Sequence, residues 1–117
     1  MSSSYFLKKS FDERVAETQR MREKHPDRIF IYLEKQEGSR LPTIDKHKYL
    51  VPKDLTIGQM IHVIRKRIDL SPSQSIYLFT ENNTLPSSCQ TIESLFITNA
   101  NKDGFMYLTY NTEEVYG

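Results

Sequence analysis

The stretch Asp54–Ile68, DLTIGQMIHVIRKRI, decides the fold. Thr56 followed three residues later by Gln59 is a capping box, in which each side chain satisfies the other residue's backbone N–H, and Leu55 is placed to staple onto Met60. A helix therefore starts at Thr56 and runs to about Ile68, before Pro72. Ile57, Ile61, Ile64 and Ile68 recur at helical spacing within a narrow arc, enough for one long buried face. Met60, Val63 and Arg67 form a stripe along its flank. A helix with one such face must lie against a broad apolar layer, and the rest of the chain supplies strands.

Upstream, Arg28–Lys35 (RIFIYLEK) reads as a strand with Ile29, Ile31 and Leu33 on one face and Phe30 and Tyr32 on the other; both faces are apolar, so both must be covered. After a loop punctuated by Gly38 and Pro42, KHKYLVP (Lys46–Pro52) reads as a second strand, its Pro suited to an edge. Lys48 and Leu50 point to one face of it, Tyr49 and Val51 to the other. Downstream, Ser75–Thr80 and Phe105–Tyr110 read as strands apolar on both faces, with a short helix over Thr91–Ile97 between them. At the N-terminal end, Ser10 and Glu13 form a capping box for a helix ending near Lys24, before His25-Pro26-Asp27. Phe11, Val15 and Thr18 share one of its faces, with Glu17 and Met21 beside them. A shorter turn over Ser4–Lys8 precedes it.

The order helix, strand, strand, helix, strand, short helix, strand makes an α+β, ubiquitin-like β-grasp with a four-stranded mixed sheet. The long helix covers one sheet face and the N-terminal helical segment the opposite face. The boundaries are 1–24 for the helical extension, 25–110 for the grasp and 111–117 for a flexible tail.

At 117 residues and 38% apolar, the chain has material for one core. A formal charge of +1 leaves no global field to draw nucleic acid or an anionic surface, so RKR (Arg65–Arg67) and KHK (Lys46–Lys48) read as solvated faces. The single Cys89 excludes an internal disulfide, favours a cytoplasmic setting, and reads as a small buried thiol because no His or acid neighbours it. His25, His47 and His62 are scattered without metal-ligand spacing, and no Gly-rich phosphate loop is present. No catalytic residue, metal or cofactor is expected: the chain does not read as an enzyme. Its longest apolar run, Ile29–Leu33, is far short of a membrane span.

HPDRI (25–29), DKHKYLVPKDLTIGQM (45–60), IRKRI (64–68) and the closing EEVYG (113–117) closely resemble the autophagy ubiquitin-like modifiers, the family that includes GABARAP. The similarity runs from Phe11 to Gly117. The resemblance implies that Gly117 is adenylated by an activating enzyme, passed as a thioester to a carrier enzyme, and joined to the amine of phosphatidylethanolamine. A soluble cytoplasmic monomer would thereby come to autophagosomal and vesicle membranes. A terminal carboxylate without a neighbouring Cβ can thread a narrow channel and be attacked with little hindrance. Relatives usually carry residues beyond this glycine that a processing cysteine protease removes; none follow here, so either the gene ends at Gly117 or this is a processed form.

The resemblance further implies docking of receptors that carry acidic aromatic-x-x-aliphatic motifs, added as a strand to the edge strand. Its first pocket is lined by Glu17, Met21, Phe30, Lys48, Leu50 and Phe105, and its second by Tyr49, Val51, Pro52, Leu55, Met60 and Val63. Arg28, Lys46, Lys48 and Arg67 favour the acidic flank. Three positions depart from the family pattern: Phe30 stands where relatives often carry a smaller residue or Pro, Gly104 replaces a bulkier one beside Phe105, and the turn Thr80–Asn83 is one residue longer than in GABARAP. Other readings remain open from the residues alone. Without the resemblance, Met21, Met60 and Val63 read more readily as core filler than as pocket lining; Glu113, Glu114 and Tyr116 read as a frayed terminus; and the whole reads as a non-conjugated peptide-binding module. A cytoskeleton-associated adaptor resting on Lys8, Lys9 and Arg14 is a further alternative.

Overall fold

A computed structural model describes residues 8–112. The tail with Gly117, and the turn over Ser4–Lys8 apart from Lys8 itself, lie outside the described residues. The elements are α1 (Phe11–Lys24), β1 (Arg28–Lys35), β2 (Lys48–Pro52), α2 (Ile57–Arg67), β3 (Tyr77–Thr80), α3 (Ile92–Asn99) and β4 (Met106–Asn111). They follow the order read from the sequence. Both capping boxes form: Ser10 Oγ accepts from Glu13 N–H, and Thr56 Oγ1 accepts from Gln59 N–H, with each side chain answered in return.

The strands make one sheet in the order β2-β1-β4-β3, antiparallel at both outer pairs and parallel between β1 and β4. The central strands are buried on both faces, which accounts for their unbroken apolar runs. One face, with Ile29, Ile31, Leu33, Met106, Leu108 and Tyr110, packs with Ile57, Met60 and Ile64 of α2 and Ile92 and Leu95 of α3. On the other, Phe30, Tyr32, Phe105 and Tyr107 form an aromatic cluster against which Met21 of α1 and Leu50 of β2 pack.

Several boundaries and burials differ from the sequence reading. β2 begins at Lys48 rather than Lys46, although the His47 carbonyl still accepts from Leu33 N–H at 2.7 Å. β3 begins at Tyr77 because Ser75 instead exchanges two hydrogen bonds with Thr112. β4 begins at Met106, the Phe105 N–H being taken by the Asp103 carboxylate at 2.9 Å. On α2 the residue at the centre of the buried face is Met60, fully buried, while Ile61 is only partly so. Cys89 is exposed, not buried: the segment carrying it is held to the start of α2 through its backbone, the Ser88 and Gln90 carbonyls accepting from Gly58 and Ile57 N–H, each at 2.9 Å.

The N-terminal helix differs most. Phe11 is exposed, and α1 is fastened by polar side chains on the face expected to be apolar. Arg14, 8% exposed, donates from Nε to Asp103 Oδ2 at 2.8 Å and from a terminal nitrogen to the Lys9 carbonyl at 2.7 Å. Tyr107 Oη also donates to Asp103 Oδ2. Thr18 Oγ1 donates to the Asp103 carbonyl at 2.6 Å. Gly104, at φ +97°, lies so near that a Cβ would stand 2.5 Å from Thr18 Oγ1. The helix thus reaches the backbone of the 101–104 turn, an approach that only glycine permits. Arg14 is consequently no part of an exposed basic surface, which removes it from the cytoskeletal reading.

Candidate functional site

β2 is an edge: it pairs with β1, and among the described residues no strand pairs with its other side. Leu33 faces His47 in a hydrogen-bonded pair, and the register sets Ile31 against Tyr49 and Ile29 against Val51. Because hydrogen-bonded and non-hydrogen-bonded pairs alternate in an antiparallel ladder, Tyr49 and Val51 turn their N–H and C=O groups toward β1. Those of Lys48 and Leu50 turn outward. The Leu50 carbonyl accordingly accepts from the Arg28 guanidinium at 3.5 Å, from outside the ladder. Two donors and two acceptors line the open edge in strand spacing.

Under one side of this edge lies a cavity of about 70 Å3 lined by Glu17, Thr18, Met21, Phe30, Lys48, Tyr49, Leu50 and Phe105. All six residues assigned to the first pocket are therefore gathered, with Thr18 and Tyr49 added. Thr18 was legible only as part of the supposed apolar face of α1. Phe30 and Phe105 meet edge-on, with ring centroids 6.5 Å apart. Lys48 Nζ donates to Glu17 Oε2 at 2.7 Å, tying the β2 wall to the α1 wall.

The residues assigned to the second pocket lie on the opposite face, but not as an open set. Tyr49, Val51 and Met60 belong to the main core, with Leu55 packed against it; Pro52 and Val63 are exposed. Tyr49 Oη is buried without a hydrogen-bond partner, and burial pushes its pKa up to about 12. Lys46 Nζ lies 5.1 Å from the centre of its ring.

The basic residues around the edge are already engaged. Arg67 Nε donates to Asp45 Oδ1 at 2.8 Å, and this hydrogen bond holds the Asp45 carboxyl below its ordinary pKa. A docking acidic segment would exchange exposed partners, each worth little, rather than meet bare charges. The arrangement of an outward-facing ladder edge, a hydrophobic cavity beneath it and cations beside it can bind an extended peptide. Among the described residues no helix is long and apolar enough to cross a membrane.

The family model described as autophagy protein Atg8, ubiquitin-like, matches residues 13–117. The chain belongs to the Atg8 family. Autophagy-related protein 8B of Oryza sativa subsp. indica is 47% identical over 115 residues, covering 98% of this chain and 96% of that protein. Autophagy-related protein 8 of Mycosarcoma maydis is 43% identical over 117 residues, 100% of this chain and 98% of that protein. The crystal structure of Trypanosoma brucei ATG8 superposes with a TM-score of 0.91 at 34% identity, each chain covered in full. Membership in the Atg8 family and the ubiquitin-like fold agree with what the sequence motifs implied.

Proposed function

We propose that this Atg8-family chain is a modifier joined through the Gly117 carboxylate to phosphatidylethanolamine, which then gathers receptors by pairing them to β2. Family membership supports the first half, and the outward N–H and C=O groups of Lys48 and Leu50 above a hydrophobic cavity carry the second. The ligands are acidic segments with two hydrophobic anchors three positions apart, the family's aromatic-x-x-aliphatic pattern. Backbone pairing supplies affinity and the anchors supply specificity. Two acyl chains bury on the order of thirty methylenes at about 0.8 kcal/mol each, so conjugation turns a soluble molecule into an anchored one. The chain is in this reading a substrate of the activating and carrier enzymes and not itself an enzyme.

Incubation with those enzymes, ATP and phosphatidylethanolamine liposomes is expected to convert the chain to a faster-migrating lipidated band. Gly117→Ala is expected to give none. A band of equal intensity from the Ala variant would refute conjugation at Gly117. Docking can be tested independently of the tail, since a chain truncated before Gly117 keeps the edge strand and is expected to keep its peptide affinity.

A further inference from the structure

We propose that Ser75 and Thr112 form a collar that fixes where the tail leaves the domain, and that Ser75 is a positioning residue for activation of the Gly117 carboxylate. The inference rests on the reading of Gly117 as the conjugated end and deepens it, by naming the part of the body that presents that end to the activating enzyme.

The ladder between β3 and β4 ends at the pair Tyr77 and Asn111. Beyond it, side chains take over from the backbone. Ser75 Oγ donates to the Thr112 carbonyl at 3.1 Å, and Thr112 Oγ1 donates to the Ser75 carbonyl at 2.8 Å. Each residue thus closes the other's main chain. The Thr112 N–H donates to Asn111 Oδ1 at 2.7 Å, and on the β1 side Asn111 Nδ2 donates to Oε1 of the buried Gln36 at 2.9 Å. Both backbone groups of Thr112 are therefore satisfied, and a chain end tied down in this way does not fray.

The partner is itself held. Arg65 of α2 donates from its two terminal nitrogens to the carbonyls of Ser71 and Gln74, so the segment leading to Ser75 is fastened to a helix rooted in the core by Ile57, Met60 and Ile64. Residues 113–117 follow the collar, and an extended chain of that length reaches about 17 Å at most. Activation joins a Gly117 carboxylate oxygen to the α-phosphorus of ATP; the bond from that phosphorus to the bridging oxygen of the β-phosphate breaks, and pyrophosphate leaves. An enzyme that grips the body must bring the carboxylate to that phosphorus. With the collar closed, the tail alone has to be ordered. With it open, Thr112 must be ordered as well, and ordering one backbone residue costs an equilibrium about a tenfold factor. The cost falls on binding and not on the chemical step, because the same carboxylate reacts once it is seated.

The experiment measures pyrophosphate release by purified activating enzyme and ATP while the concentration of the full chain is varied. Ser75→Ala and Thr112→Val are each expected to raise KM for the chain by about five- to tenfold and to leave kcat within about twofold. Ser75→Thr and Thr112→Ser, which keep the hydroxyls, are expected to retain both values. Backbone NMR relaxation is expected to give the Thr112 amide an order parameter of about 0.85 in the unaltered chain and below about 0.6 in Ser75→Ala. The affinity of a peptide docked at β2 is expected to stay within about twofold in every variant, since these exposed hydrogen bonds lie outside that site. A parallel loss of peptide affinity would mark a general structural role and overturn the proposal. So would an unchanged KM in both Ser75→Ala and Thr112→Val, or a Thr112 amide already mobile in the unaltered chain, with conjugation at Gly117 still standing. If the unaltered chain releases no pyrophosphate, the conjugation reading fails and the inference with it.

Discussion

Asp103 is the residue on which the N-terminal helix depends. Its side chain is fully buried, and its carboxylate accepts from Arg14, from Tyr107 Oη and from Phe105 N–H. Removing Arg14 would leave a buried anion without its counter-charge, a change that costs about 3–5 kcal/mol where the geometry is this close. Arg14→Ala is therefore expected to lower the unfolding free energy by that amount in urea titration, whereas Lys9→Ala, at an exposed position, is expected to change it by less than about 0.5 kcal/mol. Tyr49 presents the opposite case, a buried hydroxyl without a partner, so Tyr49→Phe is expected to leave stability at pH 7 unchanged or raised by about 1 kcal/mol. Its raised pKa adds a second signature. The hydroxyl titrates at about 12 in the folded chain and near its ordinary value of 10.0 when unfolded. Above pH 10 the unfolded chain thus binds fewer protons than the folded one, and stability falls as pH rises. The loss is absent below the unfolded value, grows between the two and is complete above the folded one. Tyr110, also raised by burial, adds to the same decline. Denaturation followed from pH 9 to 12 is expected to show a shallower fall in Tyr49→Phe than in the unaltered chain.

At the scale of elements, β2 carries the proposed function through its backbone. Its inward-turned residues, Tyr49 and Val51, complete the ladder with β1 and enter the core, while Lys48 and Leu50 leave their main-chain groups outside. Leu50→Pro is expected to test this division, because proline removes an N–H that the β1 ladder does not use and is tolerated on an edge strand. The melting temperature is expected to drop by only a few degrees, since the ladder survives. Peptide affinity is expected to fall about tenfold or more through loss of one hydrogen bond and of an anchor-contacting side chain. An unchanged affinity in a fluorescence titration would place docking elsewhere. The helices differ in how they are held. α2 joins the core through Ile57, Met60 and Ile64, whereas the residues α1 buries are Arg14 and Thr18, both held by polar bonds, with Met21 only partly buried against the aromatic cluster, which is why its hydrophobic pattern was a poor guide.

For the molecule as a whole, the near-neutral balance of 16 basic and 15 acidic residues means that attraction to an acidic ligand comes from the few cations beside β2 and not from a long-range field. Raising salt from 0.05 to 0.5 M is expected to weaken an acidic peptide by about fivefold, as screened exposed pairs do, and to leave its Gln-substituted counterpart within twofold. Equal salt sensitivity of both peptides in the same titration would show that the cations take no part. Much of the architecture was legible beforehand. Two capping boxes placed α1 and α2, and strands apolar on both faces required a sheet covered on each side, because these signals are local and periodic. The gathering of Glu17, Met21, Phe30, Lys48, Leu50 and Phe105 around one cavity followed from family motifs, not from periodicity. What only the tertiary structure decided were the contacts between segments far apart in the chain: the pairing of Arg14 with Asp103, the exposure of Cys89, the burial of Met60 and the small size of the cavity behind Phe30. A sequence states which side chains exist and with what period they recur; which of them meet across the 89 positions separating Arg14 from Asp103, and how much space is left between them, is determined only once the chain has packed.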